Sequence, residues 1–292
     1  MDTSHELIDC GDGRRLERFG PLVTDRPAPG ATGPRRDPGA WTAAISYRGG
    51  LGWATADGSP APADDVQVDL AGMHLRAGLA AGGQVGIFPE HARNAGWLRG
   101  SIERRASGPD GAGDLTSVLN LFAYTGLLTL VATDAGAAVT HVDASRPAVA
   151  WARRNAGANG LSERPIRWIV DDAIGFLRRE ARRGRVYGGL ILDPPSYGHG
   201  GEGGHAAAFR FERDIDELLT AALDVAAPDA FWLLSTHTVG WDADRLTATL
   251  AWTLGVRPGQ VEGLPLGIEA ASGARLALGA AARFDPLAGE PR

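Results

Sequence analysis

The stretch Ser117-Val-Leu-Asn-Leu-Phe-Ala-Tyr-Thr-Gly126 decides the fold. An apolar run closes on a polar aromatic and a glycine, and an Ala/Leu/Val-rich segment starting at Leu127 follows directly. That order reads as a buried strand, a tight turn and a helix N-terminus, the place where open α/β sheets hold their ligands. The unit then recurs. Residues 138–142 form a second β-rich run ending on Asp143, residues 166–170 a third ending on Asp171 and Asp172, and residues 189–192 a fourth ending on Asp193-Pro194-Pro195. Residues 230–234 make a fifth. Amphipathic segments separate them, at 127–135, 146–158, 173–183, 213–226 and 243–254. Such alternation predicts a doubly wound, mostly parallel sheet whose polar strand ends gather at one edge.

Two further strands are expected at 260–264 and 275–283, paired antiparallel around Ala271-Ser272-Gly273. Upstream, residues 92–106 read as a helix with Trp97, Leu98 and Ile102 on one face, and 107–114 as a glycine-rich linker. The first 90 residues differ in character. Asp12-Gly13 is a hairpin signal, and 27–39 are rich in proline and glycine. Trp41, Ile45, Tyr47 and Trp53 mark short strands around Gly49-Gly50. Val66, Val68 and Leu70 alternate with polar residues, 56–64 form an Ala/Pro/Asp loop, and 82–90 read as a turn and a short strand before Pro89. The expected organisation is a small β-rich module over residues 1–90 that helps cover the active-site edge, and a Rossmann-like α/β domain over 91–292.

With 292 residues, 44% hydrophobic and 22% charged, the chain has the composition of ordinary globular protein and can bury a core. No apolar stretch approaches the roughly 20 residues of a membrane span, and the first ten residues carry acids and no apolar signal region. The single cysteine, Cys10, excludes an internal disulfide, so a cytoplasmic protein is expected. There is no lysine; all 29 basic residues are arginines. That bias, beside the abundance of Ala, Gly and Pro, weakens any argument from arginine alone. A net charge of −6 exerts no global pull on nucleic acid, although a local basic face would suffice.

The turn at 120–126 offers only Gly126, whereas a dinucleotide's pyrophosphate requires two or three glycines for close backbone approach. A nicotinamide or flavin dinucleotide is therefore disfavoured. S-adenosylmethionine, which has no phosphate, requires less glycine. Asp143 follows Asn120 at close to the roughly 20-residue offset at which a carboxylate meets a ribose diol. Asp143 and Ala144 are thus expected at the ribose. Asp171 or Asp172 is expected at the adenine amino group beside Ala173, the other acid capping the next helix, with a slight lean to Asp172 as the contact. Asn120, Phe122, Ala123, Tyr124, Thr125 and Gly126 form the turn around the methionine moiety, and Asp193 stands near the transferable methyl. Each acid has a plainer reading as a helix cap, and Asn120 one as a turn residue. The combination is more specific than any member.

Asn120-Leu-Phe-Ala-Tyr-Thr-Gly126, His141-Val-Asp-Ala-Ser145 and Leu192-Asp-Pro-Pro-Ser-Tyr-Gly198 resemble motifs of the class I S-adenosylmethionine-dependent methyltransferases. More narrowly they are similar to the group containing the large-subunit rRNA cytosine C5 methyltransferases, in shorter members without a PUA domain. The likeness covers residues 80–284 well and 1–80 more loosely. It implies a class I methyltransferase sheet with an antiparallel C-terminal strand, S-adenosylmethionine as cofactor and RNA as substrate. Two departures stand out. The family's ring-attacking cysteine lies just after the fifth strand, where this chain has Ser235-Thr236-His237. The aromatic of Asp193-Pro194-Pro195-Ser196-Tyr197 falls one position later than in the amino-methylating motif, in which the acid and the first proline's carbonyl accept from the amino group.

Asp193, Pro194, Tyr197 and His237 are accordingly the expected catalytic positions, His237 ranking ahead of His199 and His205 as a base. No Cys/His set has metal-ligand spacing. The arginines at 178, 179, 182, 183 and 185 read more readily as a solvated helix face than as an RNA contact. Alternatives are methyl transfer to an amino or hydroxyl group of a small molecule or protein, or a non-catalytic relative that keeps the cofactor fold.

Overall fold

Asp12 and Gly13 both take positive φ, 55° and 73°, the combination that lets a two-residue turn follow the right-handed twist of a hairpin. They join β1 (His5–Gly11) to β2 (Arg14–Phe19), which continues to β3 (Leu22–Pro27), β4 (Ile45–Tyr47) and β5 (Trp53–Ala54) in a five-stranded sheet of that order. A separate hairpin, β6 (Val66–Leu70) and β7 (Met73–Ala77), follows. The computed structural model describes residues 4–59, 61, 64–106, 115–198 and 209–289. The expected linker at 107–114, together with His199 and His205, lies outside the described residues.

No strand forms at 82–90. Gly83 and Gly86 adopt φ near 80°, which breaks an extended run, and Val85 and Ile87 are buried from a loop that leads into a 3-10 turn at Pro89–His91. The chain separates into two compact units, Met1–Ala92 with Leu266–Leu278, and Arg93–Pro265 with Gly279–Arg292.

The first unit buries charge as well as apolar surface. Glu17 is fully buried, with Arg26 at 2.7 Å and Arg15 and His5 each at 3.2 Å. Burial alone would raise its carboxyl, but the two guanidinium groups and His5 hold it well below the usual carboxylate range. Asp9, also fully buried, accepts from Trp41 Nε1, from the backbone N–H groups of Arg36 and Asp37, and from Ser272 Oγ, at 2.7–3.1 Å. One carboxylate thereby ties β1 to the proline-rich crossing and to the turn at Ser272.

The second unit begins with α1 (Ala92–Ala106), then alternates β8 (Ser117–Leu121), α2 (Leu127–Asp134), β9 (Ala138–Asp143), α3 (Arg146–Ala158), β10 (Ile166–Val170), α4 (Ala173–Arg182), β11 (Tyr187–Leu192), α5 (Phe211–Leu223), β12 (Ala226–Thr236) and α6 (Ala243–Leu254). β13 (Glu262–Glu269) and β14 (Arg275–Phe284) complete a seven-stranded sheet in the order β10-β9-β8-β11-β12-β14-β13. β8 to β12 pair in parallel, and β14 runs antiparallel to β12. Counted from β8 the order is 3-2-1-4-5-7-6, which differs from the 3-2-1-4-5-6 of dinucleotide-binding sheets by the antiparallel strand set between the last two. The order reverses between β8 and β11, and that reversal is the switch point. Among the described residues no helix is long and apolar enough to cross a membrane.

Pairing register fixes the edge. Ile169, Val142, Leu121, Leu192 and Leu234 lie level across five strands. One residue further, Asp143, Phe122, Asp193 and Ser235 therefore form the next row. Gly189 makes the close packing behind this row possible: a Cβ there would stand 2.1 Å from Phe231 Cζ. The ring has little room to retreat, since Trp97 meets it edge-on at 5.8 Å and the Arg105 guanidinium covers it at 5.1 Å. Gly189→Ala is expected to lower stability by about 2–3 kcal/mol in denaturant unfolding, and a second change, Phe231→Leu, to recover part of the loss. Equal stability of Gly189→Ala and wild type would contradict this packing.

Candidate functional site

The turn after β8 is held in an uncommon shape. Phe122 and Tyr124 have φ of 55° and 48°, and Gly126, which precedes α2, has 91°. Left-handed φ is unfavourable for residues with a Cβ, so the surroundings must enforce it. Ala123 N–H donates to Val142 C=O at 3.1 Å, Gly126 N–H to Ala123 C=O at 3.0 Å, and Tyr124 N–H to Asp143 Oδ2 at 2.8 Å. Thr125 is buried, and its carbonyl accepts from Asn155 Nδ2 at 2.9 Å.

Asp143 also accepts from Ser145 N–H, through Oδ1 at 2.8 Å. The cap of α3 is Ser145, whose hydroxyl accepts from Ala148 N–H at 3.3 Å. Burial raises the Asp143 carboxyl above its ordinary value against the lowering effect of these two backbone donors. A carboxylate has about four lone-pair sites, so its two bonds leave capacity for the adjacent hydroxyls of a ribose. Ala144 beside it is exposed.

Asn120 lies under the turn rather than in it. It is 2% exposed and its amide donates to Thr129 Oγ1 at 2.9 Å, which in turn meets His141 Nδ1 at 2.9 Å. Burial lowers the His141 pKa to about 3, so the ring is neutral. This buried polar chain braces the turn from below. Sequence alone does not reveal the bracing role of Thr129, His141 and Asn155, which rests on contacts across strands and helices.

At the end of β10 the two acids separate. Asp172 caps α4, accepting from Gly175 N–H at 2.7 Å, while Asp171 pairs with Arg179 and accepts from Asp172 N–H. The capping role expected of one of the two acids falls on Asp172. Ala173 is buried as the first residue of α4. The arginine run divides among local partners: Arg178 with Glu217, Arg179 with Asp171, Arg183 with Glu180.

Across the switch point, Asp193 follows β11, and Pro194 behind it is buried. Ser235 Oγ donates to Asp193 Oδ1 at 2.6 Å, and His237 Nε2 lies 3.7 Å from the same oxygen. Ser196 and Thr238 hydroxyls meet at 2.9 Å, and Thr236 donates to Thr238 at 2.9 Å, joining the loops after β11 and β12. Tyr197 is 76% exposed and bridges Arg210 through an isolated backbone pairing. Phe209 packs on Phe122 with ring centroids 5.1 Å apart. Structure thus groups the turn with Asp143 on one side of the switch point and Asp193 with His237 on the other, Asp171 and Asp172 standing at the end of the sheet's edge strand.

The seven-stranded order, with an antiparallel strand inserted and acids ending the strands on both sides of the switch, defines a Rossmann-like methyltransferase fold. A solved S-adenosylmethionine-dependent methyltransferase from Agrobacterium tumefaciens is similar over 97% of this chain and 90% of its own, at 30% identity and a TM-score of 0.84. The chain belongs to the S-adenosylmethionine-dependent methyltransferases. A structure from Streptococcus mutans, 18% identical, agrees in fold over 96% of this chain and 74% of its own with a TM-score of 0.73. The ribosomal RNA large subunit methyltransferase K/L of Methylococcus capsulatus is 37% identical over 120 residues, 41% of this chain and 16% of that protein. The curated relatives are longer: this chain spans 16% of that one and 49% of methyltransferase K from Neisseria meningitidis. No protein-family model matches the chain.

His141 gives the site a pH signature. Its folded pKa of about 3 lies below the ordinary 6.5, so between these values the unfolded chain binds a proton that the folded chain refuses. Stability is fully present above pH 6.5 and falls on acidification, by at most about 1.4 kcal/mol per pH unit for this one group. Unfolding measured from pH 7 to 5 is expected to show this decline, and His141→Gln to flatten it; parallel curves would exclude a neutral buried His141.

Proposed function

We propose that this chain transfers a methyl group from S-adenosylmethionine to RNA of the large ribosomal subunit, in the cytoplasm, and that residues 91–292 carry the site. The observation that carries the cofactor reading is Asp143, fixed by Tyr124 N–H in a turn with a single glycine. That set suits a nucleoside diol and an amino-acid tail better than a pyrophosphate. The RNA reading is supported by the relatives named above.

In this reading Asp143 accepts from the ribose hydroxyls, and the turn from Phe122 to Gly126 lies along the methionine part. Asp171 or Asp172, beside Ala173, serves the adenine edge. S-adenosylmethionine, when bound, supplies an activated methyl on a sulfonium centre. Asp193 and the Pro194 carbonyl orient the acceptor, His237 assists in removing its proton, and exposed Tyr197 offers a stacking face for a base. The net charge of −6 and the serine at the family's cysteine position favour a second reading, an amino or hydroxyl acceptor on a small molecule or protein.

Two measurements test the proposal. S-adenosylhomocysteine at about 100 times its dissociation constant should stabilise the protein by about 2.7 kcal/mol, NAD should not, and Asp143→Asn should weaken S-adenosylhomocysteine by about 10- to 100-fold. With labelled S-adenosylmethionine and extract from a strain lacking the gene, label should enter a ribonuclease-sensitive fraction. A shift with NAD alone would overturn the cofactor reading, and label confined to protein or small molecules would overturn the RNA reading.

A further inference from the structure

Carbon methylation at cytosine C5 requires a nucleophile that adds to the ring, and the family's nucleophile is a thiolate. This sequence has one thiol, Cys10, buried on β1 among Leu7, Ala28, Ala31 and Leu276 of the first unit. Burial raises it further from the thiolate form. The residues at the end of β12 are of another kind. Ser235 is completely buried, and its single proton goes to Asp193 Oδ1 at 2.6 Å, with the Leu192 carbonyl at 3.4 Å. The Asp193 contact falls in the range of charge-assisted O–H···O bonds. A hydroxyl in that geometry restrains the carboxylate; it does not attack a base.

The register explains why the pair forms. Leu192 and Leu234 are partners in the parallel ladder, so Asp193, one residue past β11, stands beside Ser235, which is still within β12 and paired to β14. The Ser196–Thr238–Thr236 hydroxyl chain fastens the two loops one step further out. Asp193 is therefore held from within the sheet, in one orientation, beside the switch point. Ser235 takes a lone pair of Oδ1 and so fixes the plane of the carboxylate.

We propose that Ser235 is the positioning residue of the acceptor site: it fixes the plane of Asp193 so that the carboxylate accepts from an N–H or O–H of the methyl acceptor, which is a proton-bearing nitrogen or oxygen and not a ring carbon. The proposal rests on the methyltransferase reading above. In the transfer, the acceptor's lone pair forms the new N–C or O–C bond. The electron pair of the broken S–C bond stays on sulfur, giving S-adenosylhomocysteine, and the acceptor's proton leaves by way of the Asp193 and His237 pair to solvent.

The test compares wild type, Ser235→Ala and Ser235→Thr on deproteinised large-subunit rRNA from a strain lacking the gene, with labelled S-adenosylmethionine. Ser235→Ala should lower kcat about 10- to 100-fold, as expected for a misplaced orienting group. It should bind S-adenosylhomocysteine within about twofold of wild type, and Ser235→Thr, which keeps the hydroxyl, should restore kcat to within about threefold. Digestion to nucleosides and mass spectrometry should place the methyl on nitrogen or oxygen. Wild-type kcat in Ser235→Ala, a Ser235→Thr protein as impaired as Ser235→Ala, or 5-methylcytidine as product would each overturn the proposal. If wild type leaves RNA unlabelled, the RNA reading has failed on its own; the same three proteins are then compared on whichever fraction wild type does label. Label in no fraction would overturn both.

Discussion

The hydrogen bond from Tyr124 N–H to Asp143 is the constraint on which the turn after β8 depends. Two non-glycine residues with left-handed backbone in one turn cost on the order of 1–3 kcal/mol each. The turn persists because its amides have fixed partners, Val142 C=O and the Asp143 carboxylate, on the adjacent strand. Ser145 relieves Asp143 of capping α3, so the carboxylate is positioned by the turn and positions it in return. Beneath it, the buried Asn120–Thr129–His141 chain links strand to helix by hydrogen bonds. The result is a preorganised lip at the sheet edge, and under the proposed function a ligand bound there has little left to order.

Buried ionisable groups are treated in two ways here, and the difference follows from their neighbours. Glu17 has two guanidinium groups within ion-pair distance and stays charged. Glu180 is also buried; burial would raise its pKa, but bonds from Arg167, Tyr187 and Arg183 bring it to about 2, while Tyr187, buried against it, is pushed up to about 12. Desolvation of His141 outweighs its contacts with the Thr129 hydroxyl and the Tyr124 backbone, so it remains neutral. Breaking either carboxylate network would strand a charge, which is costly in a way that removing both partners is not. The arginine-only composition matters at these points, since a planar guanidinium can satisfy a carboxylate from two sides.

Much of this architecture could be read from local pattern. Alternating apolar runs and amphipathic segments gave α1, α3 and α6 their observed limits, and the parallel sheet follows from the length of the crossovers. Acids at strand ends marked the edge. Chemistry that depends on distant partners was not legible. Whether Asn120 faces a ligand or the core depends on Thr129 and His141, and which of Asp171 and Asp172 caps α4 depends on the helix's first turn. The strand expected near residue 87 fails because glycines with positive φ interrupt it, a conformational fact that composition alone only hints at. Ser235 was noted in sequence only as a missing cysteine; its bond to Asp193 arises from ladder register between β11 and β12.

The same register argument separates the two halves of the edge. On the β9 side the carboxylate is held by backbone amides, which cannot be altered by substitution without moving the chain. On the β12 side it is held by a side-chain hydroxyl, and the surrounding loops are joined by three more hydroxyls. Under the proposed assignment, the cofactor meets the part that is held by the backbone. Under the proposal made above, acceptor choice rests with the part that is held by a side chain, which a single substitution can change. A fold can therefore keep its cofactor edge while the acceptor chemistry changes, which is the physical form of the rule that function resides in sites set on a shared scaffold.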